Sequence, residues 1–240
     1  MFDERRHDID ALRSIALFLL IFYHLAVSFT SVAKWILFVP NNKPIDNIWS
    51  LLSIFNIWRI PLLFIIAGIA LRFSYQNRGV GKLFKERFKR LGIPYLFGAV
   101  TFVPLYIIIS AQFIYGDMSL DDNIGVLITS IFTGGHLWFL INILIYCLLF
   151  IPIIGFISNK KRGYKFVDSI LKIRGGVLLF SIPIILEGYL LDLTAYKEDI
   201  GYGNSYSEYY GTDHGLLLGF IWFLIGIVLT SQVIPFGNTT

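Results

Sequence analysis

The chain has 240 residues, of which 56% are hydrophobic, and its formal net charge is +4. This composition excludes a single soluble core, because too few polar residues remain to cover one. The positive charge does not indicate a nucleic-acid partner, since the basic residues lie in particular stretches between apolar segments. The composition indicates an integral membrane protein.

Six segments, in chain order, are long and apolar enough to cross a bilayer. They comprise residues 11–33, 48–71, 91–111, 137–157, 177–193 and 216–233. Residues 124–132 are also apolar but too few to cross, which predicts an interfacial or re-entrant segment. We predict an all-α fold, a polytopic transmembrane helical bundle of about six spans that forms a single domain over residues 1–240.

The charge of the connections alternates with each predicted crossing. Arg5 and Arg6 precede the first span, and Lys and Arg are abundant again after the second and fourth spans. The third connection has no Lys or Arg but carries Asp117, Asp121 and Asp122. Because cytoplasmic loops of membrane proteins hold the excess of Lys and Arg, we predict a cytoplasmic amino terminus.

His24 lies about half-way along the first predicted span, where an imidazole is costly unless it faces protein or water. Arg13 precedes it by eleven positions, so both side chains project from one helix face, roughly 16 Å apart along the axis. His24 could act as a general base toward a hydroxyl, or it could join a buried hydrogen-bonded pair between helices. Arg13 could bind a phosphorylated cofactor at the inner mouth, which the shared face favours, or lipid phosphates.

Two further polar positions lie in or beside predicted spans. Arg59 is deep within the second span, where it either pairs with an acid such as Glu187 or serves a functional site, and the sequence favours neither. His136 follows Gly134 and Gly135 at the outer end of the fourth span. It could donate a hydrogen bond to a substrate, or the motif could form only an interfacial aromatic belt.

Residues 82–94 alternate basic and apolar side chains ahead of the third span. This pattern is typical of an interfacial helix that binds anionic membrane lipid. Arg87 and Arg90 are three positions apart, hence neighbours on an α-helix, and together they could also hold a phosphate or an adenosine diphosphate group. No group of His, Asp and Glu has the spacing of metal ligands, so we expect no metal site.

Four motifs, taken in order, resemble those of the acyltransferase-3 family of membrane proteins. They are Arg13 with His24, WRIPLLFIIAGIAL at residues 58–71, RFKRLGIP at residues 87–94 and HLWFL at residues 136–140. Within that family the pattern is most similar to the branch that contains the glucan-succinylating membrane protein of osmoregulated periplasmic glucan synthesis. The motifs lie within residues 5–160, and beyond them only the hydropathy agrees.

The resemblance implies an O-acyltransferase of the cell (inner) membrane. Such an enzyme takes an acyl group from its co-substrate, cytoplasmic acyl-CoA, and delivers it to a hydroxyl of an extracytoplasmic carbohydrate or glycolipid. The resemblance also implies that His24 is the catalytic base, Arg13 its partner at the cytoplasmic mouth, and Arg87 with Arg90 the basic pair near the donor. Members of the family typically have more spans than are predicted here, so we expect an amino-terminal part or a shortened relative of such an enzyme.

Two other functions fit the same residues. A transporter could use His24, Arg59 and Glu187 as a polar pathway, because intramembrane ionisable residues mark such pathways equally well. The short length also fits a non-catalytic pseudoenzyme. The pair Arg87 and Arg90 favours the acyltransferase over the transporter, since a transporter has no evident need for a phosphate-binding pair at its inner face.

Overall fold

The computed structural model describes most of the chain, in separate stretches. These are residues 7–30, 33–34, 38–45, 47–76, 79–116, 119–133, 135–158, 169–170, 172–186 and 213–233. Most of these residues are helical, and none of the described residues belongs to a β-strand. The all-α prediction is therefore confirmed for this part of the chain.

The α-helices are numbered here in chain order. They are α1 (His7–Val27), α2 (Ile48–Gln76), α3 (Val80–Arg87), α4 (Ile93–Val100), α5 (Phe102–Tyr115), α6 (Leu120–Thr133), α7 (Trp138–Ser158) and α8 (Asp213–Val233). A π-helical turn, Phe88–Gly92, joins α3 to α4. Two 3₁₀ helices cover Gly135–Leu137 and Gly176–Ser181.

Four helical stretches of the described part are long and apolar enough to cross a membrane. They are Ile9–Val27, Trp58–Tyr75, Val80–Tyr115 and Gly135–Ile154. These stretches coincide with the first four predicted spans, which supports the predicted class, a helical membrane protein. At the position of the sixth prediction, α8 contains a shorter apolar stretch, Gly215–Thr230. The fifth prediction extends past residue 186 and so lies partly outside the described residues.

The third membrane stretch, Val80–Tyr115, is longer at both ends than the span predicted for residues 91–111. The stretch comprises α3, the π-helical turn, α4 and α5, and Thr101 separates α4 from α5, so it is not one uninterrupted α-helix. The basic residues of α3 lie at its amino-terminal end. That this basic segment lies at the membrane interface stays a prediction.

Helix α1 ends at Val27, six residues before the predicted end of the first span at Ala33. The hydroxyl of Thr30 donates a hydrogen bond of 2.7 Å to the carbonyl oxygen of Val27. Ser and Thr side chains that bond to nearby backbone in this way compete with helical hydrogen bonding. The sequence remains largely apolar after Val27, but α1 ends there.

Helix α6 contains the apolar residues 124–132 that were predicted not to cross. Its 14 residues correspond to about 21 Å, less than the thickness of the hydrocarbon core. Whether α6 lies at the interface or re-enters the membrane stays a prediction.

The chain divides into two compact units. The first comprises Met1–Leu63 with Ile93–Ile141, and the second comprises Phe64–Gly92 with Asn142–Thr240. In the first unit α4, α5, α6 and the 3₁₀ helix Gly135–Leu137 pack together. A Cβ added to Gly98 would meet a methyl group of Leu137, so this glycine allows α4 to approach the turn before α7.

In the second unit, helices α2 and α8 approach each other closely through glycines. A Cβ on Gly68 would meet the carbonyl oxygen of Phe223, and a Cβ on Gly226 would meet that of Ile65. Small residues allow such close backbone contact, which is a common source of packing energy between membrane helices.

Candidate functional site

Two histidines that are 112 positions apart in the sequence lie together in the first unit. His24 lies in the last turn of α1, three residues before its end and not half-way along the span as predicted, because α1 ends at Val27. His136 belongs to the 3₁₀ helix Gly135–Leu137. Their ring centroids are 5.6 Å apart, and the ring planes differ by only 11°. The sequence indicated each histidine separately, whereas the structure joins them into one cluster.

Phe38 is the third ring of this cluster. Its centroid lies 4.6 Å from that of His136 and 5.7 Å from that of His24, with interplanar angles of 22° and 15°. The three rings are therefore nearly parallel. Phe38 covers part of both imidazoles with an apolar surface, and such cover limits the access of water to them.

Tyr106 of α5 contacts His136 in two ways. The rings stack with centroids 4.3 Å apart, and the phenolic oxygen lies 3.0 Å from Nδ1 of His136. The other ring nitrogen, Nε2, is buried and has no hydrogen-bond partner among the described residues. Because each nitrogen lies on a different edge of the ring, Nε2 faces away from the hydroxyl of Tyr106.

Gly135 creates the turn that brings His136 to Tyr106. Its φ of +46° lies in the left-handed region that glycine adopts without strain. A Cβ at this position would be 2.6 Å from a methyl carbon of Val103 and 3.1 Å from the hydroxyl oxygen of Tyr106. A larger residue would therefore displace the neighbours that hold His136. Gly134, which the sequence also indicated, lies outside the described residues.

The ring of His24 is held from its own helix. It forms a hydrogen bond with the backbone of Leu20, one turn earlier, whose carbonyl oxygen accepts from a ring N–H. One nitrogen is thereby occupied as a donor, and in the neutral imidazole the other nitrogen carries a lone pair. This is the arrangement that a general base requires.

Arg59 of α2 belongs to the same unit and is almost completely buried, with 1% of its surface exposed. Its guanidinium carbon lies 4.1 Å from the ring centroid of Tyr23, a cation–π contact. Its charge is close enough to act electrostatically on His24. Tyr23 in turn meets the ring of His24 edge-on, with centroids 5.9 Å apart. Glu187, the acid suggested as a partner for Arg59, lies outside the described residues.

Arg13 shares the uninterrupted helix α1 with His24. Over eleven residues the helix rises roughly 16 Å, so Arg13 does not belong to the ring cluster. Its guanidinium lies 3.9 Å from the carboxylate of Asp10, and both side chains are partly exposed. A contact of this length between exposed groups is weak, which leaves the guanidinium accessible.

Arg87 and Arg90 belong to the second unit and have different partners. Arg87 donates from Nη2 to the carbonyl oxygen of Ala70, at 2.9 Å, and to the hydroxyl of Ser74, at 2.7 Å. Arg90 pairs with Glu86 at 2.9 Å, and 69% of its side chain is exposed. Arg90 lies within the π-helical turn, which is wider than an α-helix, so the α-helical spacing that predicted Arg87 and Arg90 as neighbours does not apply.

Within the described part of the chain, no three His, Cys, Asp or Glu side chains are close enough to hold a metal ion. The groups that the first unit does bring together are a held imidazole, a second imidazole with a buried nitrogen, and a buried guanidinium. An imidazole can accept a proton from a hydroxyl, and nearby donors and positive charge can stabilise an oxyanion. Proton removal from a hydroxyl that attacks a carbonyl is the chemistry that this set can support.

A comparison with protein-family models matches residues 6–233 to the acyltransferase domain. No curated protein and no solved structure matched the chain in the corresponding comparisons. The matched range contains the ring cluster, Arg59, Arg87 and Arg90. The family indicated by the four sequence motifs is therefore confirmed.

Proposed function

The chain belongs to this acyltransferase family, and we propose that it is a membrane O-acyltransferase that uses acyl-CoA to acylate a hydroxyl of an extracytoplasmic carbohydrate or glycolipid. The observation that carries the proposal is His24: an imidazole within a membrane span, held by the Leu20 backbone on one nitrogen, beside a buried Arg59. His24 lies in the last turn of the membrane helix α1, and an ionisable group packed among protein side chains in a membrane span marks a candidate functional site.

In the proposed reaction His24 takes the proton of the acceptor hydroxyl as its oxygen attacks the thioester carbonyl carbon. A C–O bond forms, the C–S bond breaks, and the thiolate of CoA leaves. The imidazolium then returns the proton to the thiolate, which regenerates neutral His24 and yields the free thiol. The positive charge of Arg59 lies near enough to His24 to stabilise negative charge that develops on the reacting groups.

The arginines outside the cluster are proposed to bind the donor. CoA carries several phosphate charges, and guanidinium groups match phosphate geometry. Arg90 is well exposed and Arg13 is partly exposed, so both can reach a ligand in solution. Arg87 is held by Ala70 and Ser74 and would contribute charge from a fixed position.

The proposed arrangement in the cell membrane is six spans with a cytoplasmic amino terminus. The alternation of basic and acidic connections supports this orientation, and it puts Arg13, Arg87 and Arg90 on the side where acyl-CoA is found. We also propose that the chain belongs to the glucan-succinylating branch of the family, on the basis of its four motifs.

The test compares His24→Ala with His7→Ala, a substitution of an exposed histidine on the same helix. Membranes that contain each variant are supplied with radiolabelled acetyl-CoA or succinyl-CoA, and alkali-labile label in the carbohydrate fraction is measured. Loss of a general base costs on the order of 10²–10⁴ in rate, so His24→Ala should be nearly inactive and His7→Ala unimpaired.

Equal amounts of the two variants in the membrane fraction serve as the control for insertion. Normal ester formation by His24→Ala would assign a structural role to this histidine. A transporter or a pseudoenzyme predicts no ester with the unsubstituted chain either.

A further inference from the structure

We propose that His136 is a second catalytic residue of the transfer reaction, and that Tyr106 positions it. In this role Nε2 of His136 donates a hydrogen bond to the thioester carbonyl oxygen while His24 removes the hydroxyl proton. The proposal rests on the proposed function and assigns a separate task to each histidine of the ring cluster.

In this proposal the hydroxyl of Tyr106 donates to Nδ1 of His136, which lies 3.0 Å away, and so sets which nitrogen carries the proton. A phenolic hydroxyl is a good donor, and when it donates to Nδ1 the single proton of a neutral imidazole lies on Nε2. His136 then presents an N–H group on the edge that faces away from Tyr106. The tautomer of a histidine is commonly fixed in this way by the hydrogen bond of its other nitrogen.

The Nε2 atom of His136 is buried and has no hydrogen-bond partner in the described part of the chain. A buried donor that lacks an acceptor costs about 1–3 kcal/mol, and such groups are rare in folded proteins. An oxyanion that forms in the transition state would supply the missing acceptor. The Nε2–H group of His136 would thus gain its strongest acceptor in the transition state, where the hydrogen bond stabilises the developing negative charge.

The position of the His136 ring relative to His24 fits a hydrogen-bond donor and a base that act on the same carbonyl carbon. The attacking oxygen and the carbonyl oxygen are both bonded to the same carbon in the tetrahedral intermediate. A base and a donor must each approach one of these oxygens to about 3 Å, so the two catalytic groups must be close neighbours. The imidazoles of His24 and His136 have centroids 5.6 Å apart and nearly parallel planes.

The proton balance of the reaction is unchanged by this role. His136 donates a hydrogen bond and keeps its proton, while His24 accepts the hydroxyl proton and passes it to the leaving thiolate. Phe38 and Tyr106 both stack on His136, and these contacts restrict the ring to the orientation that the hydrogen bond selects.

The kinetic test uses His136→Gln and His136→Asn as a matched pair. The longer Gln side chain can place an amide N–H near the position of Nε2, whereas that of Asn reaches only the position of Nδ1. Loss of one oxyanion donor costs on the order of 10²–10³ in kcat, so His136→Asn should show that loss with little change in the KM for the acyl-CoA donor. His136→Gln should retain a clearly larger kcat.

Tyr106→Phe supplies a variant that keeps the stacked ring and removes only the hydroxyl. Its kcat should fall by less than that of His136→Asn, again with the donor KM unchanged.

Nitrogen NMR of the protein labelled at its histidines gives a readout that does not depend on activity. It should show the Nε2–H tautomer for the resonance that His136→Asn eliminates, and a mixture of tautomers in Tyr106→Phe.

Equal kcat values for His136→Gln and His136→Asn, or a proton on Nδ1 of His136, would overturn the donor role. An unsubstituted chain that transfers neither acetyl nor succinyl groups would remove the proposed function and this role with it. An active chain that loses activity in His24→Ala but not in His136→Asn would remove the donor role alone.

Discussion

His24 and His136 each hold one ring nitrogen in a hydrogen bond, which reduces the cost of placing an imidazole within a membrane span. The partner of His24 is local, the backbone one turn earlier. The partner of His136 is Tyr106, which is distant in sequence. The two rings are thus fixed by independent contacts, and a substitution can disturb one without the other.

Gly135→Ala should displace His136 and reduce transfer activity, because the added methyl group would clash with Val103 and with the hydroxyl of Tyr106. The substitution also places a non-glycine residue at positive φ, so thermal stability should fall as well. Acyl transfer and thermal unfolding in detergent measure the two effects.

Gly125→Ala is the control for this substitution, because a methyl group there would meet no described atom within 4 Å. Gly125 lies within α6, where alanine is the better helix former, so neither activity nor stability should fall. If Gly135→Ala behaves like Gly125→Ala, the turn does not position His136.

At the scale of single residues, the sequence indicated His24, Arg59 and His136 because polar groups in apolar segments are costly and therefore conspicuous. It could not indicate Phe38 or Tyr106. Aromatic residues make up 17% of the chain, so one more ring in an apolar segment carries no signal of its own. Only the three-dimensional packing distinguishes these two rings from the others.

The segment from α3 to α4 shows how a change in helix type alters an expectation based on spacing. Arg87 lies at the end of α3 and bonds to α2, whereas Arg90 lies within the π-helical turn and is exposed. Their shared role in binding phosphate was predicted from α-helical geometry. The two positions now require separate tests, because Arg87 bonds to another helix, whereas Arg90 forms an exposed ion pair with nearby Glu86.

Arg90→Ala should raise the apparent KM for acyl-CoA and leave thermal stability nearly unchanged, because an exposed ion pair contributes about 1 kcal/mol or less. Arg90→Lys should restore donor affinity only in part, since an ammonium supplies charge without the planar guanidinium.

Arg87→Ala should raise the apparent KM for acyl-CoA and also lower thermal stability, because it removes the bonds to Ala70 and Ser74.

Acyl-CoA binding to the purified variants, measured alongside their unfolding temperatures, separates these effects. An unaltered donor affinity in Arg90→Ala would exclude this arginine from the donor site. A stability of Arg87→Ala equal to that of Arg90→Ala would contradict the structural role of Arg87.

The helical elements themselves were largely predictable, because long apolar segments identify membrane helices directly. Their ends were less so. The first span was predicted to reach Ala33, but the hydroxyl of Thr30 bonds to the backbone where α1 ends. The third was predicted to begin at Leu91, but the apolar helical stretch begins at Val80 and includes a π-helical turn at Phe88–Gly92. Hydropathy alone reports neither the hydrogen bond of Thr30 nor the π-helical turn.

Across the whole molecule, large apolar side chains remain exposed on the described helices. On α1 these include Ile15, Phe18, Phe22 and Leu25, each more than half exposed. Contiguous apolar surface of this kind is unfavourable in water, whereas hydrocarbon solvates it. Helix α1 therefore combines a surface suited to lipid with the buried ring of Tyr23 and the half-buried ring of His24, as expected of a span that carries a site.

The proposed function requires that the chain transfer an acyl group from CoA on the cytoplasmic side and not transport a solute unchanged. The most direct measurement uses sealed membrane vesicles that contain the chain and are loaded with cell-envelope glycans. Radiolabelled acetyl-CoA or succinyl-CoA is added outside, and the free CoA thiol and the alkali-labile glycan ester are quantified together.

Inside-out vesicles, whose cytoplasmic face is outward, should release thiol and form ester in equal amounts, and His24→Ala vesicles should form neither. Right-side-out vesicles should become active only after detergent opens them, because the charged donor does not cross the bilayer. Label that accumulates inside without release of thiol, or transfer by intact right-side-out vesicles alone, would exclude the proposed function.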